Sequence, residues 1–200
     1  MKTILLHGLG QTAQDWKEVV CQLSSSNVEC PELFSSMENE ISYPQILGDL
    51  ERRYSNVKEP LRICGLSLGA LLAIDFAIRH GDKVASLVLI GTQYKVPSLL
   101  IDFQNLIFRC MPNKAFESMG LSKSNTIKLA HSMRALDFTA QLSGILCPVN
   151  ILCGEKDSAN LKASKKLNEI LPKATLQIVP GAGHEINKDA PEAIAAILNM

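Results

Sequence analysis

A serine, an aspartate and a histidine each follow an apolar run that has the length of a buried strand. Ser67 lies in the stretch G-L-S-L-G at residues 65–69, between the apolar run at 61–64 and a helical pattern at 70–78. A strand, G-x-S-x-G and a helix in this order are typical of a sharp turn that strains the serine and exposes its hydroxyl. Glycines two residues before and after it are needed because side chains would collide there. The pattern predicts a nucleophile above a helix N-terminus.

The partners of such a nucleophile follow two later apolar runs. Asp157 follows the run at 148–153, and His184 follows the run at 175–179 after glycines at 181 and 183. If these runs are parallel strands, Ser67, Asp157 and His184 share one edge of the sheet. A histidine has the pKa of a general base at neutral pH, and a buried carboxylate orients it. Each residue alone would be ordinary, but together they predict a catalytic triad.

The apolar runs alternate with helical patterns, which predicts an α/β fold with a doubly wound, mostly parallel sheet of about six strands and helices on both faces. Pro31 indicates that the second strand is short or lies near an edge. The expected strands cover residues 3–6, 28–33, 61–64, 84–90, 148–153 and 175–179. One helix is expected to begin near residue 13, and four more are expected at residues 43–54, 70–78, 161–171 and 191–198.

Residues 94–140 contain no convincing strand and predict helices near 98–110, 113–119 and 124–134. We interpret them as a helical cap inserted into a core formed by residues 1–93 and 141–200, because ligands collect past carboxyl strand ends. A helical hairpin that only covers one sheet face is the alternative. Phenylalanines and methionines of the cap would line an adaptable apolar pocket. The expected pocket residues are His7, Phe103, Phe108, Met111, Phe116 and Met119.

Composition narrows the class of protein. The 200 residues are 46% hydrophobic, and 20 basic residues balance 20 acidic ones, which gives no reason to expect nucleic acid as a partner. No apolar run approaches the about 18 residues of a membrane span, and no secretory signal is evident. The six cysteines lack zinc spacing, and we expect them to be reduced in a cytoplasmic protein. No metal or organic cofactor is called for, and a homodimer is left open.

The glycine-rich turn after the first strand completes the expected site. An oxyanion needs two donors, and we expect the backbone N–H groups of Leu68, next to the nucleophile, and Leu9, in the turn at residues 7–10. We expect His7 to orient that turn rather than to act as the base. His80 is expected to end a helix and His131 to lie on the cap surface.

The stretches LLHGLGQTAQDW, CGLSLGALLAIDFA, VNILCGEKD and IVPGAGHEI occur in the order found in one family. The chain resembles a small member of the α/β-hydrolase superfamily, of the esterase or thioesterase type, with a short helical cap. The resemblance implies Ser67 as nucleophile, His184 as base and Asp157 as its acid, with Leu9 and Leu68 as oxyanion donors. The sequence departs from the family in starting at the strand before His7, so that we expect fewer strands than usual.

The expected activity is hydrolysis of carboxylic ester or thioester bonds of a small, largely apolar substrate through an acyl-enzyme. Three alternatives remain open. The same triad could serve a lyase, a peroxidase or an acyltransferase. Residues 8–13 also fit the dinucleotide fingerprint G-x-G-x-x-A, with Glu29 or Glu32 as the ribose acid, which would indicate an oxidoreductase. A ligand-binding protein that has lost activity is the third.

Overall fold

A computed structural model describes residues 1–35, 41–117 and 121–200, without the side chains at 99, 100, 103, 104 and 117. Six strands form one sheet in the order β2-β1-β3-β4-β5-β6, and each paired neighbour is parallel. The predicted α/β class and strand number are confirmed. The strands are β1 (Lys2–Leu6), β2 (Val28–Glu29), β3 (Leu61–Leu66), β4 (Val84–Ile90), β5 (Val149–Gly154) and β6 (Ala174–Val179).

Nine α-helices connect or flank these strands in the described part of the chain. They are α1 (Lys17–Val20), α2 (Tyr43–Tyr54), α3 (Leu68–Arg79), α4 (Ser98–Cys110), α5 (Lys114–Glu117), α6 (Lys123–Ser132), α7 (Ser158–Ile170), α8 (Ile186–Asp189) and α9 (Pro191–Leu198). Short 3₁₀ helices cover Ala13–Trp16 and Leu142–Gly144. The first predicted helix is therefore a 3₁₀ turn followed by α1, and the chain turns away after Val20.

Both faces of the sheet are covered, which is why its central strands are continuous apolar runs rather than alternating ones. Side chains alternate between two buried clusters, as Ile4 and Leu5 on β1 illustrate. Ile4 faces the cluster formed with α2 and α3. Leu5 faces the cluster that contains Trp16 and the apolar side of α9. Cys64, just before the serine turn, is fully buried in this second cluster.

The second strand is shorter than the predicted span of 28–33. Only Val28 and Glu29 pair with β1, at the edge of the sheet. Pro31 lacks an N–H for the ladder, and the chain then turns so that Leu33 and Phe34 become buried. Their burial places this turn beneath the loop that follows β1, where the backbone N–H of Leu33 donates to Nε2 of His7 at 3.2 Å.

The helices α4, α5 and α6 lie between β4 and β5, as predicted for the helical segment. Its two ends meet, since Val96 donates to the carbonyl of Leu136 at 2.9 Å and Phe138 donates to that of Tyr94 at 2.9 Å. The segment is not isolated from the core, because Leu129 belongs to the same buried cluster as α2 and α3. The boundaries of a separate cap at residues 94 and 140 stay a prediction.

None of the helices described here combines the length and the apolar character that crossing a membrane would require.

Candidate active site

The turn between β3 and α3 holds Ser67 in a backbone conformation that L-residues rarely adopt. Its φ is 53° and its ψ is −109°, and it is the one non-glycine residue with positive φ in the described ranges. Such a conformation costs about 1–3 kcal/mol and persists only where neighbours enforce it. The N–H of Ser67 donates to the carbonyl of Ile90 on β4 at 2.9 Å. This bond anchors the turn to the adjacent strand.

Two glycines make this turn sterically feasible. A Cβ at residue 65 would collide with the backbone of Gly69, and a Cβ at residue 69 would collide with the carbonyl of Leu6 on β1. Both collisions are with backbone atoms, which cannot move aside without breaking the sheet. The predicted need for glycine two residues on either side of Ser67 therefore has a definite structural cause.

His184 and Asp157 form a hydrogen-bonded pair next to this turn. Nδ1 of His184 lies 2.8 Å from Oδ2 of Asp157. The Asp157 side chain is 5% exposed, whereas that of His184 is 41% exposed. Burial alone would raise the pKa of Asp157, but hydrogen bonds from His184 and Asn160 hold that pKa below its ordinary value. Because the ionised carboxylate only accepts, Nδ1 carries the proton and Nε2 is left with a free lone pair.

The loops after β5 and β6 are fastened together, and this brings Asp157 and His184 into contact. The N–H of Lys156 donates to the carbonyl of Ala182 at 2.9 Å, and the N–H of Gly181 donates to the Glu155 carboxylate at 2.9 Å. A Cβ at residue 154 would collide with carbonyl oxygens of the β6 loop, so that only glycine permits this close approach. Asp189 accepts from the N–H of Gly183 at 2.7 Å and shapes the residue before His184.

Gly91, directly after β4, forms the floor beneath the pair. Its φ is +53°, and a Cβ built there would lie 2.9 Å from Nδ1 of His184 and 3.2 Å from Oδ2 of Asp157. This role of Gly91 was not predicted from the sequence. A glycine directly after a strand that neighbours the serine strand was the available signal.

Two amide side chains, also missed by the sequence analysis, extend the pair. Nδ2 of Asn160 lies 2.9 Å from each carboxylate oxygen of Asp157 and 3.2 Å from Nδ1 of His184. Nε2 of Gln93 in turn lies 2.8 Å from Oδ1 of Asn160 and 3.0 Å from the carbonyl oxygen of Ala159. Nothing in the spacing of amide residues predicts such a network.

Ser67 and His184 line the same cavity, which has a volume of about 400 Å³. Within the described ranges, no hydrogen bond joins the Ser67 hydroxyl to the imidazole. The structure therefore joins two of the three predicted residues by a hydrogen bond and places the third beside them. Most of the cavity wall is apolar. The lining residues are Leu9, Gly10, Ser67, Leu68, Leu71, Gly91, Gln93, Val96, Pro97, Ile101, Phe108, Met133, Ala159, Asn160 and His184.

Among the cap residues expected to line the pocket, some line the cavity and others do not. Phe108 lines the cavity. Phe116 does not, because it is buried behind Phe108 with the two rings edge to face at 5.7 Å. Met111 follows the end of α4 and also lies outside the lining. The side chain of Phe103 and the whole of Met119 lie outside the described residues.

His7 is fully buried below the loop that follows β1, and it does not line the cavity. Its Nδ1 lies 3.0 Å from the carbonyl oxygen of Gly8, and its ring packs edge to face on Phe34. Burial lowers the pKa of His7, although the hydrogen bond to Gly8 opposes this. These contacts fit the expectation that His7 orients its own turn.

The loop after β1 brings Leu9 to the cavity, which is also lined by Leu68 at the start of α3. Throughout the described part of the chain, neither backbone N–H donates to a protein acceptor, so both are free to meet a ligand oxygen. A Cβ at residue 8 would lie 3.5 Å from Cβ of Ser67, which shows how closely this loop approaches the serine.

The two acids that would accompany the dinucleotide fingerprint at residues 8–13 make contacts within the protein. Glu29 binds Lys2 at 2.6 Å and the Tyr54 hydroxyl at 2.7 Å, and Glu32 accepts from the N–H of Ala13 at 2.8 Å. Both acids proposed for a ribose are thus engaged within the protein. Among the described residues, no group of three or more His, Cys, Asp or Glu side chains could hold a metal ion.

A model of the alpha/beta hydrolase family matches residues 3–197. The chain belongs to the alpha/beta hydrolase family, and the resemblance expected from the sequence is confirmed. Family membership together with hydrolase-named relatives supports a hydrolase-like enzyme.

Individual relatives differ in their named activities. The chain is 23% identical over 241 residues to a Bacillus subtilis protein provisionally named 2-succinyl-6-hydroxy-2,4-cyclohexadiene-1-carboxylate synthase, covering 98% of this chain and 88% of that protein. It is 36% identical over 90 residues to the pimeloyl-acyl-carrier-protein methyl ester esterase of Aromatoleum aromaticum, covering 44% and 36%. The enol-lactonase structure from Burkholderia xenovorans LB400 is similar with a TM-score of 0.85 at 18% identity, over 98% and 88% of the two chains.

Proposed function

We propose that this chain is a serine hydrolase that cleaves carboxylic ester or thioester bonds of a small, largely apolar substrate through an acyl-enzyme. The observation that carries the proposal is the Asp157–His184 pair at 2.8 Å, whose histidine lines one cavity together with Ser67 on its strained turn. A hydroxyl needs a neighbouring base to attack a carbonyl at neutral pH, and the free Nε2 of His184 is such a base.

In the proposed mechanism, Nε2 of His184 takes the hydroxyl proton of Ser67 while the oxygen attacks the substrate carbonyl. The resulting imidazolium is stabilised by the carboxylate of Asp157. The N–H groups of Leu9 and Leu68 donate to the oxyanion. His184 then protonates the departing alcohol or thiol, and water attacks the acyl-enzyme by the same route in reverse.

The cavity supports an apolar acyl group. Leu71, Val96, Ile101 and Met133 form much of its wall, and a volume of about 400 Å³ lies in the range of small-molecule sites. Apolar walls contribute binding energy in proportion to the substrate surface that they bury, roughly 25 cal/mol per Å². The preferred acyl chain is therefore expected to be long enough to contact these apolar residues.

The proposal is tested with a panel of chromogenic esters from acetyl to long acyl. Ser67→Ala and His184→Ala are each expected to lower kcat by about 10³-fold or more while the unfolding curve stays cooperative. His131→Ala is the matched control, because His131 is exposed on α6. A covalent acyl adduct on Ser67, detected by mass spectrometry after rapid quenching, is also expected. Near-normal turnover by Ser67→Ala would contradict the proposal.

A second candidate function is a lyase that uses the same three residues. It is favoured by one observation, the similarity over nearly the whole chain to a relative whose name is that of a synthase. The two candidates differ in whether an acyl-enzyme accumulates. Absence of ester turnover together with absence of a covalent adduct on Ser67 would favour the lyase over the hydrolase.

A further inference from the structure

The amide of Asn160 is the donor that completes the coordination of the Asp157 carboxylate. Its Nδ2 lies 2.9 Å from both Oδ1 and Oδ2 of Asp157. His184 reaches only Oδ2. Since the Asp157 side chain is 5% exposed, water has little access, and a buried carboxylate needs hydrogen bonds from the protein. Beside His184, Asn160 supplies them from its side-chain amide and from its backbone N–H.

The direction of the Asn160 amide follows from a chain of donors that starts at a backbone carbonyl. The Ala159 carbonyl can only accept, so the Gln93 atom 3.0 Å from it must be the NH₂ group. The same NH₂ group lies 2.8 Å from the Asn160 side chain, which must therefore present its oxygen to Gln93. The nitrogen of Asn160 is then left to face Asp157.

We propose that Asn160 is a positioning residue for the Asp157–His184 pair and that Gln93 sets the orientation of its amide. The inference rests on the proposed function, because it assigns a role within the same site. Asn160 holds the carboxylate so that Oδ2 faces Nδ1 of His184, and it shares the negative charge of the carboxylate through its own hydrogen bonds. Both effects set how strongly the imidazole retains its proton.

The carboxylates of Glu185 and Asp189, which follow His184 in the sequence, form hydrogen bonds to other groups. Asp189 binds the N–H of Gly183 at 2.7 Å, and Glu185 binds Gln11 at 2.7 Å. From the β5 side, the thiol of Cys153 lies 3.9 Å from the backbone carbonyl of Asp157. Asp157 is thus the charged side chain that contacts the imidazole in the described part of the site, and a change in its hydrogen bonds acts on His184 directly.

The first test compares Asn160→Leu with Asn168→Leu. Leucine has nearly the shape of asparagine but no donor, and Asn168 lies on the same helix two turns away from the pair. Asn160→Leu is expected to lower kcat for the best ester about 10- to 100-fold with KM changed less than about twofold. The acidic limb of the kcat profile is expected to move to higher pH, because a carboxylate without the amide donor holds the imidazole proton more strongly. Asn168→Leu is expected to change neither. An unmoved acidic limb in Asn160→Leu would overturn the proposal.

The second test addresses Gln93. Gln93→Glu replaces the NH₂ donor with an acceptor, which favours a turned Asn160 amide with its oxygen towards Asp157. The loss in kcat is expected to match that of Asn160→Leu, and the double variant is expected to lose no more than Asn160→Leu alone. Losses that multiply in the double variant would overturn the role of Gln93.

A third measurement needs no turnover. The Nδ1 proton of His184 is expected to give a strongly deshielded NMR signal in the resting protein, which His184→Ala removes. In Asn160→Leu this signal is expected to shift and to exchange faster with water. If no ester is cleaved but the signal responds, the proposed function fails and the positioning role stands. If esters are cleaved and the signal does not respond, only the positioning role fails.

Discussion

Gly91 shows how little space surrounds the acid–base pair. The atom nearest to a Cβ built at this position is Nδ1 of His184, at 2.9 Å. Gly91→Ala is expected to cost about 1–2 kcal/mol of stability from its positive φ, and to displace His184 as well. We therefore expect kcat/KM to fall about 10-fold or more, measured with the best ester, while the protein stays folded.

Gly181→Ala separates the effect of backbone strain from the effect of a Cβ that collides with His184. Gly181 also has positive φ, at 70°, but a Cβ there would meet no atom within 4 Å. The Gly181→Ala variant is expected to lose about as much stability in urea unfolding as Gly91→Ala, while its kcat/KM stays within about threefold of the wild-type value. Equal losses of activity in the two variants would contradict the collision with His184.

The pKa of Asp157 predicts how the stability of the protein depends on acid. The pKa is lowered from the ordinary value of 3.8, so the unfolded chain binds a proton at a higher pH than the folded one. Its contribution to the free energy of unfolding is therefore present above about pH 4 and is lost as pH falls through the lowered pKa. The stability difference between wild type and Asp157→Asn is expected to shrink below about pH 4, measured by urea unfolding at several pH values. A constant difference would contradict this.

At the residue scale, the sequence predicted the position of a residue where that position depends on which strand the residue follows. Ser67, Asp157 and His184 each follow a strand, so topology alone predicted their shared edge. Asn160 and Gln93 could not be predicted in this way, because side-chain amides are common and their direction depends on contacts across the chain. The roles of the three predicted residues stay predictions until turnover is measured.

At the scale of elements, long periodic segments were predicted well. The bounds of β4 (Val84–Ile90), α2 (Tyr43–Tyr54) and α9 (Pro191–Leu198) agree with the sequence prediction. The pocket was predicted less well, because the face that a short helix turns inward depends on its neighbours. Phe116 is an example, since it packs behind Phe108 instead of facing the cavity.

Phe108 on α4 is expected to limit the length of the acyl group. Phe108→Ala enlarges the cavity that Phe108 lines, which favours longer chains. The ratio of kcat/KM for a long acyl ester to that for a butyryl ester is expected to rise about 10-fold. Leu106→Ala is the matched control on the same helix, because Leu106 is 58% exposed and does not line the cavity. A rise of the same size in Leu106→Ala would contradict the assignment.

At the scale of the whole molecule, Gln11 joins the two sides of the site. Its Nε2 lies 2.7 Å from the Glu185 carboxylate and 3.2 Å from Oδ1 of Asn187, which is fully buried. This ties the loop after β1, which carries Leu9, to the loop that carries His184. The two residues are far apart in sequence, and Gln11 bonds both polar atoms of the buried Asn187 amide, whose Nδ2 also donates to the carbonyl of Asp15 at 3.0 Å.

Gln11→Leu is expected to lower the free energy of unfolding by about 1–3 kcal/mol, because it leaves buried polar groups unsatisfied. Urea unfolding provides the measurement. Gln22→Leu is the control, since Gln22 lies exposed after α1. Loss of stability by Gln22→Leu to the same extent would show that the effect is not due to the buried network.

The strand order has a consequence for the protein while it is being synthesised. The serine strand β3 is central and early, whereas the acid and the base follow β5 and β6 near the end of the chain. A nascent chain that has released only its first half carries the hydroxyl without any proton acceptor beside it. Cleaving the backbone between α6 and β5 likewise separates the fragment that carries Ser67 from the fragment that carries Asp157 and His184. Activity is expected to return only if the two fragments reassemble into one sheet.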